Sequence, residues 1–109
     1  MIYSKKFLNR MRISLPKEDI GYVYIFKLGN MIKIGKSVNH PKKRMKQLSI
    51  SESAELHYFN KYINYHYIEK EFHVLLKNKR ITNSEWFEDV TEEEIEFLKN
   101  WKKERIVYE

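Results

Sequence analysis

Two tyrosines, a lysine and a glycine in the stretch GYVYIFKLGNMIKIGKS, residues 21–37, are the first candidates for chemistry. A phenol ionises near pH 10, so at neutral pH only about one in a thousand is the basic phenolate. An ammonium about 5 Å away, at an effective dielectric of about 20, favours the phenolate by about 3 kcal/mol, roughly 2 pK units at best. Tyr22 or Tyr24 beside Lys33 is therefore a pair capable of base chemistry, provided the chain brings them together. The alternative is a tyrosine-rich sheet face packed under helices, with Lys33 extending its ammonium to solvent.

What must position them is a hairpin. Gly29-Asn30 is a two-residue turn signal flanked on both sides by strand formers. Pairing across it sets Leu28 opposite Met31, Phe26 opposite Lys33 and Tyr24 opposite Gly35. Side chains alternate between faces. One face then carries Val23, Ile25, Ile32 and Ile34, an aliphatic set fit for a core. The other carries Tyr22, Tyr24, Phe26, Lys33 and Gly35, with Lys33 diagonal to Tyr24 and within reach of it. Gly35, lacking a side chain, is expected to leave open space over the Tyr24 phenol.

The remaining elements follow from periodicity and caps. Residues 1–20 read as a basic N-terminal arm or extension, closed by Pro16, and residues 21–109 as a single domain. After the hairpin, Pro41 opens a short helix with KKRMKQL as its body and Asn39 or His40 as its cap. ELHYFNKYI, residues 55–63, alternates as a third strand. Ile68, Phe72, Leu75 and Leu76 recur at helical spacing in the segment 64–80, which Asn64 can cap. NSEWFED is a connector in which Trp86 and Phe87 are expected to anchor the core under the last helix. That helix opens with a capping box, Thr91 and Glu94, and turns Ile95, Leu98, Trp101 and Ile106 inward. The order β-β-α-β-α-α predicts a small α/β (α+β) fold: a three-stranded antiparallel sheet flanked by helices.

Composition bounds the function. At 109 residues, 42% hydrophobic and 33% charged, the chain suits one folded domain and not a disordered one. Without cysteine it has no disulfide and no thiolate metal site. No apolar run is long enough to cross a bilayer and no signal peptide is visible, so an intracellular protein with no membrane partner is expected. The net charge of +6 nominates nucleic acid as partner, although a lysine-rich composition alone produces the same number.

The quoted residues also carry a resemblance. YVY at 22–24, KIG at 33–35 and Arg44 in the following helix resemble the GIY-YIG nuclease superfamily. GYVYIFK, IKIGKS, PKKRMKQL, IEKEFHVLL and SEWFED, in that order, are similar to its small phage, viral and bacterial branch, in which KIG replaces YIG. The similarity runs from Gly21 to Val90. It implies a DNA endonuclease or nickase using one divalent ion, Mg²⁺ or Mn²⁺, with DNA or RNA as partner; two copies, or a partner protein, would be needed for concerted double-strand cutting. Position by position it places the first motif tyrosine on Tyr24, the second on Lys33 and the motif glycine on Gly35. The family arginine falls on Arg44, with Lys43 as the alternative, and the metal-binding glutamate on Glu69. His73 matches a histidine common in the branch, and Asn83 corresponds loosely to a late asparagine.

Phosphodiester hydrolysis gives those residue types a purpose. It needs an activated water, charge compensation at phosphorus and help for the leaving oxygen. Tyr24 would be the base, tuned by Lys33, with Tyr22 on the same face able to share the role. Lys33 could instead touch phosphate directly, as could Lys36 and Lys43. Arg44 has the fork that grips phosphate oxygens in two places. Glu69 would give one carboxylate to an ion that otherwise keeps water, with His73 one turn later on the same helical face. Glu71 is the second candidate for the carboxylate, while His40, His57 and His66 form no evident constellation. The competing function is a nucleic-acid-binding module on the same fold, with cleavage weak or lost.

Overall fold

The computed structural model describes residues 19–43 and 54–108. The first eighteen residues of the expected arm, Arg44 and the body of the first helix lie outside the described residues. Four strands form one antiparallel sheet: β1 (Ile20–Leu28), β2 (Met31–Ser37), β3 (Glu55–Ile63) and β4 (Trp86–Phe87), in the order β3-β1-β2-β4. Among the described residues two complete α-helices accompany it, α1 (Tyr65–Leu75) and α2 (Glu92–Asn100).

The hairpin pairs as its turn dictates. Tyr24 faces Gly35, Phe26 faces Lys33 and Leu28 faces Met31. At the turn only Gly29 takes a positive φ, 62°, the pattern of a tight turn whose first central residue must be glycine. Asn30 then ties the tip to the chain ahead of α2: its side chain donates to Asp89 at 3.0 Å, and its carbonyl accepts from Val90 at 3.2 Å.

The aliphatic face is core throughout. Val23, Ile25, Ile32 and Ile34 are completely buried against Ile68 and Phe72 of α1, Ile95 and Leu98 of α2, and Phe87. The opposite face is also covered at its centre: Tyr24 is 2% exposed and Phe26 fully buried, their rings 4.8 Å apart. A sheet buried on both sides explains why β1 reads as a nearly continuous apolar run.

Four differences from the sequence reading have local causes. The sheet has four strands because the expected connector contains β4, which pairs with Ile32 and Lys33. Phe87 is fully buried, whereas Trp86 points to the Lys33 side and is only half-buried. The helix expected over 64–80 stops at Leu75, followed by a 3-10 turn at Lys77–Lys79. Asn64 does occupy its N-cap, but in the left-handed region (φ 56°) and without a side-chain cap bond. The last helix stops at Asn100, and Lys102 takes φ 48° before a 3-10 turn at Lys103–Arg105.

The capping box forms as expected, with the Glu94 amide donating to Thr91 Oγ1 at 3.1 Å and the Thr91 amide to Glu94 Oε1 at 3.0 Å. Thr91→Ala should cost about 1 kcal/mol, read as a lower urea midpoint at unchanged m-value. The ion pair with Lys79, opposed by partial desolvation and aided by Thr91, holds the Glu94 carboxyl below its ordinary 4.5. A depressed folded-state value means the stabilisation is present above the unfolded value and is lost as pH falls through the folded one. The gap between wild type and Thr91→Ala should therefore narrow on acidification below about pH 4.5.

Candidate active site

Three site candidates gather around one short piece of backbone, Ile34 to Lys36. Glu69 projects from α1 and is held from two sides. Its Oε1 accepts from His73 Nε2 at 2.7 Å, and its Oε2 lies 3.4 Å from the Lys36 ammonium. The same His73 nitrogen is 3.1 Å from the carbonyl oxygen of Ile34, so it carries a proton and shares it between carboxylate and backbone. The imidazole edge also packs on Phe87, with centroids 5.1 Å apart. Helical spacing makes this possible: residues four apart sit one above the other, and Phe72 beside them anchors α1 in the core.

Glu69 and His73 side chains are each 15% exposed, while Lys36 is 42% exposed and free to swing. Burial opposes ionisation of Glu69, but His73 and then Lys36 outweigh it, so the carboxyl stays below the usual carboxylate range. The result is a fixed anion with one oxygen committed to His73 and the other turned to a movable cation.

These residues line a cleft of about 400 Å³ whose other walls are His66, Tyr67, Lys70, Arg80 and Glu85. Arg80 is held there by its Nε donating to the Ser84 carbonyl at 2.7 Å. Lys70, Arg80 and His66 were not legible as site residues in the sequence: one turn of helix supplies His66 and Lys70, but only folding brings Arg80 opposite them. Basic side chains around an ionised carboxylate make a surface that can take an anion together with a cation.

The phenol stands on the other side of the same backbone. Alternation puts Tyr24 of β1 and Lys33 and Gly35 of β2 on one face of the hairpin and Lys36 on the other, the face covered by α1. No open space remains over the phenol. A Cβ built on Gly35 would lie 2.4 Å from both Cζ and Oη of Tyr24, so the ring occupies the place where a side chain would be. β4 pairs with β2 only at Ile32 and Lys33, after which Ile34 donates to the Glu85 carbonyl at 3.4 Å. Past that point, Gly35 to Ser37 have no strand partner on their outer side among the described residues. At this open edge the phenol lies over Gly35 on one face, and the carboxylate lies beside Lys36 on the other.

The other expected residues lie elsewhere or do other things. The Lys33 ammonium, on the Tyr24 face, is 3.4 Å from Glu85. Tyr22 belongs to a ring cluster with His40 (5.5 Å) and Phe59 (6.1 Å). Lys43 is exposed on the helical turn at 41–43, where His40 is the cap: its Nδ1 accepts from the Lys42 amide at 3.2 Å. Asn83 sits in an exposed turn at φ 60° and lines none of the cleft. Glu71 is committed to Trp101 Nε1 at 2.6 Å and Lys102 Nζ at 2.8 Å, which removes it as a rival to Glu69. The position of Arg44 is outside the described residues.

The donor set decides which cation could fit. Among the described residues no group of three His, Cys, Asp or Glu side chains converges, so a fully protein-ligated zinc is not provided for. A single fixed carboxylate in a wet cleft suits a magnesium-like ion, which keeps several waters and takes further oxygens from phosphate. The Glu69–His73 bond is the outer-shell orientation such a ligand needs. Access to Oε2 requires only that exposed Lys36 move aside. Among the described residues no helix is long and apolar enough to cross a membrane.

Comparison with known proteins adds one finding. A family model described as the T5orf172 domain matches residues 21–103. The match takes in β1, the cleft and both helices. No curated protein and no solved structure matches the chain.

Proposed function

The chain belongs to the T5orf172 domain family, and on that footing we propose that it is a metal-dependent nuclease of the GIY-YIG type that hydrolyses nucleic-acid phosphodiester bonds. The family is associated with nuclease-like proteins. The observation that carries the reading is Glu69, ionised, fixed through one oxygen by His73 and presented at a cation-lined cleft.

In the reaction, water attacks phosphorus and the bond to the leaving sugar oxygen breaks. Glu69 Oε2 would hold a single Mg²⁺ or Mn²⁺, which when bound supplies charge neutralisation on the phosphate and the leaving oxygen. His73 keeps the carboxylate in place through Oε1. Lys36, displaced from Glu69, is long enough to follow the incoming phosphate, and Lys70 and Arg80 would guide the strand on either side. Tyr24 is the candidate to take the proton from water, and Arg44 to grip the phosphate, both assigned by the motif resemblance. If Lys33 acts on Tyr24, it would do so less than an isolated ammonium would, because Glu85 lies 3.4 Å from its charge.

A second reading has its own observation. Tyr24 is only 2% exposed, which restricts the access a base needs and favours a nucleic-acid-binding module without cleavage.

Relaxation of supercoiled plasmid in Mg²⁺ by wild type, Tyr24→Phe and Arg44→Ala separates the two. Cleavage predicts activity in wild type and its loss in both variants. Salt-sensitive retardation without any nicking would leave the binding module. For Lys33→Met the expected result is about a tenfold lower rate at neutral pH and an optimum displaced upward by about one unit, because the phenolate loses its cation. An unchanged rate and optimum would remove Lys33 from the chemistry.

A further inference from the structure

Two exposed apolar surfaces stand out among the described residues, and their charges differ. Leu75 and Phe97 meet Glu93 and Glu94 in one groove, and Val74 and Leu75 flank Glu71 in the next. The first groove is acidic, and in the second Glu71 is paired with Lys102 with Lys70 alongside, so neither is rimmed mainly by cations. The other surface is the ring cluster on the Tyr24 face of the sheet. Phe59 of β3 is 38% exposed, although it sits mid-strand and directly opposite Tyr24 of β1. His40 meets it edge-on at 4.7 Å, and Tyr22 lies 6.1 Å away. Lys61, next on the same face of β3, places its ammonium 5.7 Å from the centre of the Tyr22 ring. Lys42 and Lys43 are exposed on the turn that His40 caps.

We propose that Phe59, backed by His40 and Tyr22, is a stacking platform for an unpaired nucleobase, with Lys61, Lys42 and Lys43 holding the phosphates on either side. The proposal rests on the nucleic-acid reading given above and adds a substrate preference to it. A large apolar side chain left exposed midway along an edge strand, rimmed by cations, is an arrangement that binds single strands: every base has a π face and every phosphate a charge. A paired base in a duplex has both faces covered by its neighbours, so it cannot use the platform. Because Phe59 pairs with Tyr24, the β3 backbone that carries the platform lies about one strand spacing, roughly 5 Å, from the β1 backbone that carries the phenol. The platform thus favours substrates with a few unpaired nucleotides beside the scissile bond: flaps, bubbles or single strands.

The test is binding in EDTA, where cleavage does not intervene, read by anisotropy with dT12, a 12-bp duplex and a dT12 carrying abasic sites. Phe59→Ala should weaken dT12 binding about tenfold. Duplex and abasic binding should stay within twofold, and Phe59→Trp should keep wild-type affinity. Equal dT12 affinity in wild type and Phe59→Ala overturns the platform, as does an equal loss on duplex and abasic strands. Retained Phe59→Trp affinity and duplex binding show that the fold is intact. Plasmid nicking reports separately on the nuclease reading: nicking with no Phe59 effect sinks only the platform, and a Phe59 effect without nicking sinks only the cleavage.

Discussion

Gly35→Ala should lose both stability and activity, because the added methyl would enter the space the Tyr24 phenol already fills. At 2.4 Å from Cζ and Oη the contact cannot be absorbed by a few tenths of an ångström. The ring has little freedom to retreat, being 2% exposed and packed on Phe26. Overpacking of this kind costs about 1–3 kcal/mol. Displacing a reacting group by about 1 Å can cost about a hundredfold in rate. Thermal unfolding and plasmid nicking measure the two effects separately. Adding Tyr24→Leu to Gly35→Ala should restore much of the stability and none of the nicking, a strong coupling between touching residues. A Gly35→Ala protein as stable and active as wild type would mean that the phenol does not lie over Gly35.

Glu69→Gln should leave the fold close to wild type and remove the chemistry. Glutamine keeps the shape and can still accept the His73 proton through its Oε1, so the contact that positions α1 against Ile34 survives. What disappears is the negative charge that a divalent ion would bind. A bound metal contributes several kcal/mol to transition-state charge stabilisation, so nicking should fall by about a hundredfold or more. His73→Ala should cost less, about 10–100-fold, as expected for an orienting partner behind a ligand, and raising Mg²⁺ should recover part of it. The depressed carboxyl of Glu69 also sets a direction: it keeps its charge to a lower pH than an ordinary carboxylate, so any loss of activity through Glu69 should fall on the acid side of the ordinary value.

The sequence carried the local part of this site and not the long-range part. Gly29-Asn30 and a period of two were enough to set Tyr24 opposite Gly35, because a hairpin register is fixed by its turn. Thr91 and Glu94 announced α2, and Glu69 with His73 could be placed on one helical face, since caps and i,i+4 neighbours need only nearby residues. β4 was missed because two residues, Trp86 and Phe87, become a strand only by meeting Ile32 and Lys33. The open space expected over the phenol was filled, because the orientation of an aromatic ring depends on packing from neighbouring strands. Lys33 was expected at Tyr24, yet a glutamate distant in sequence, Glu85, sits by its ammonium. Arg80 joins the cleft through tertiary contacts that no spacing encodes, whereas Lys70 arrives with Glu69 on the same turn of α1.

The most direct test of the account is the conversion of supercoiled plasmid to open circles by purified wild-type protein, in Mg²⁺ and in EDTA, with Glu69→Gln from a parallel preparation. Cleavage by wild type in Mg²⁺, none in EDTA and none by Glu69→Gln, while both proteins retard DNA alike, is the predicted result. Equal nicking by wild type and Glu69→Gln, or nicking that persists in EDTA, would contradict it.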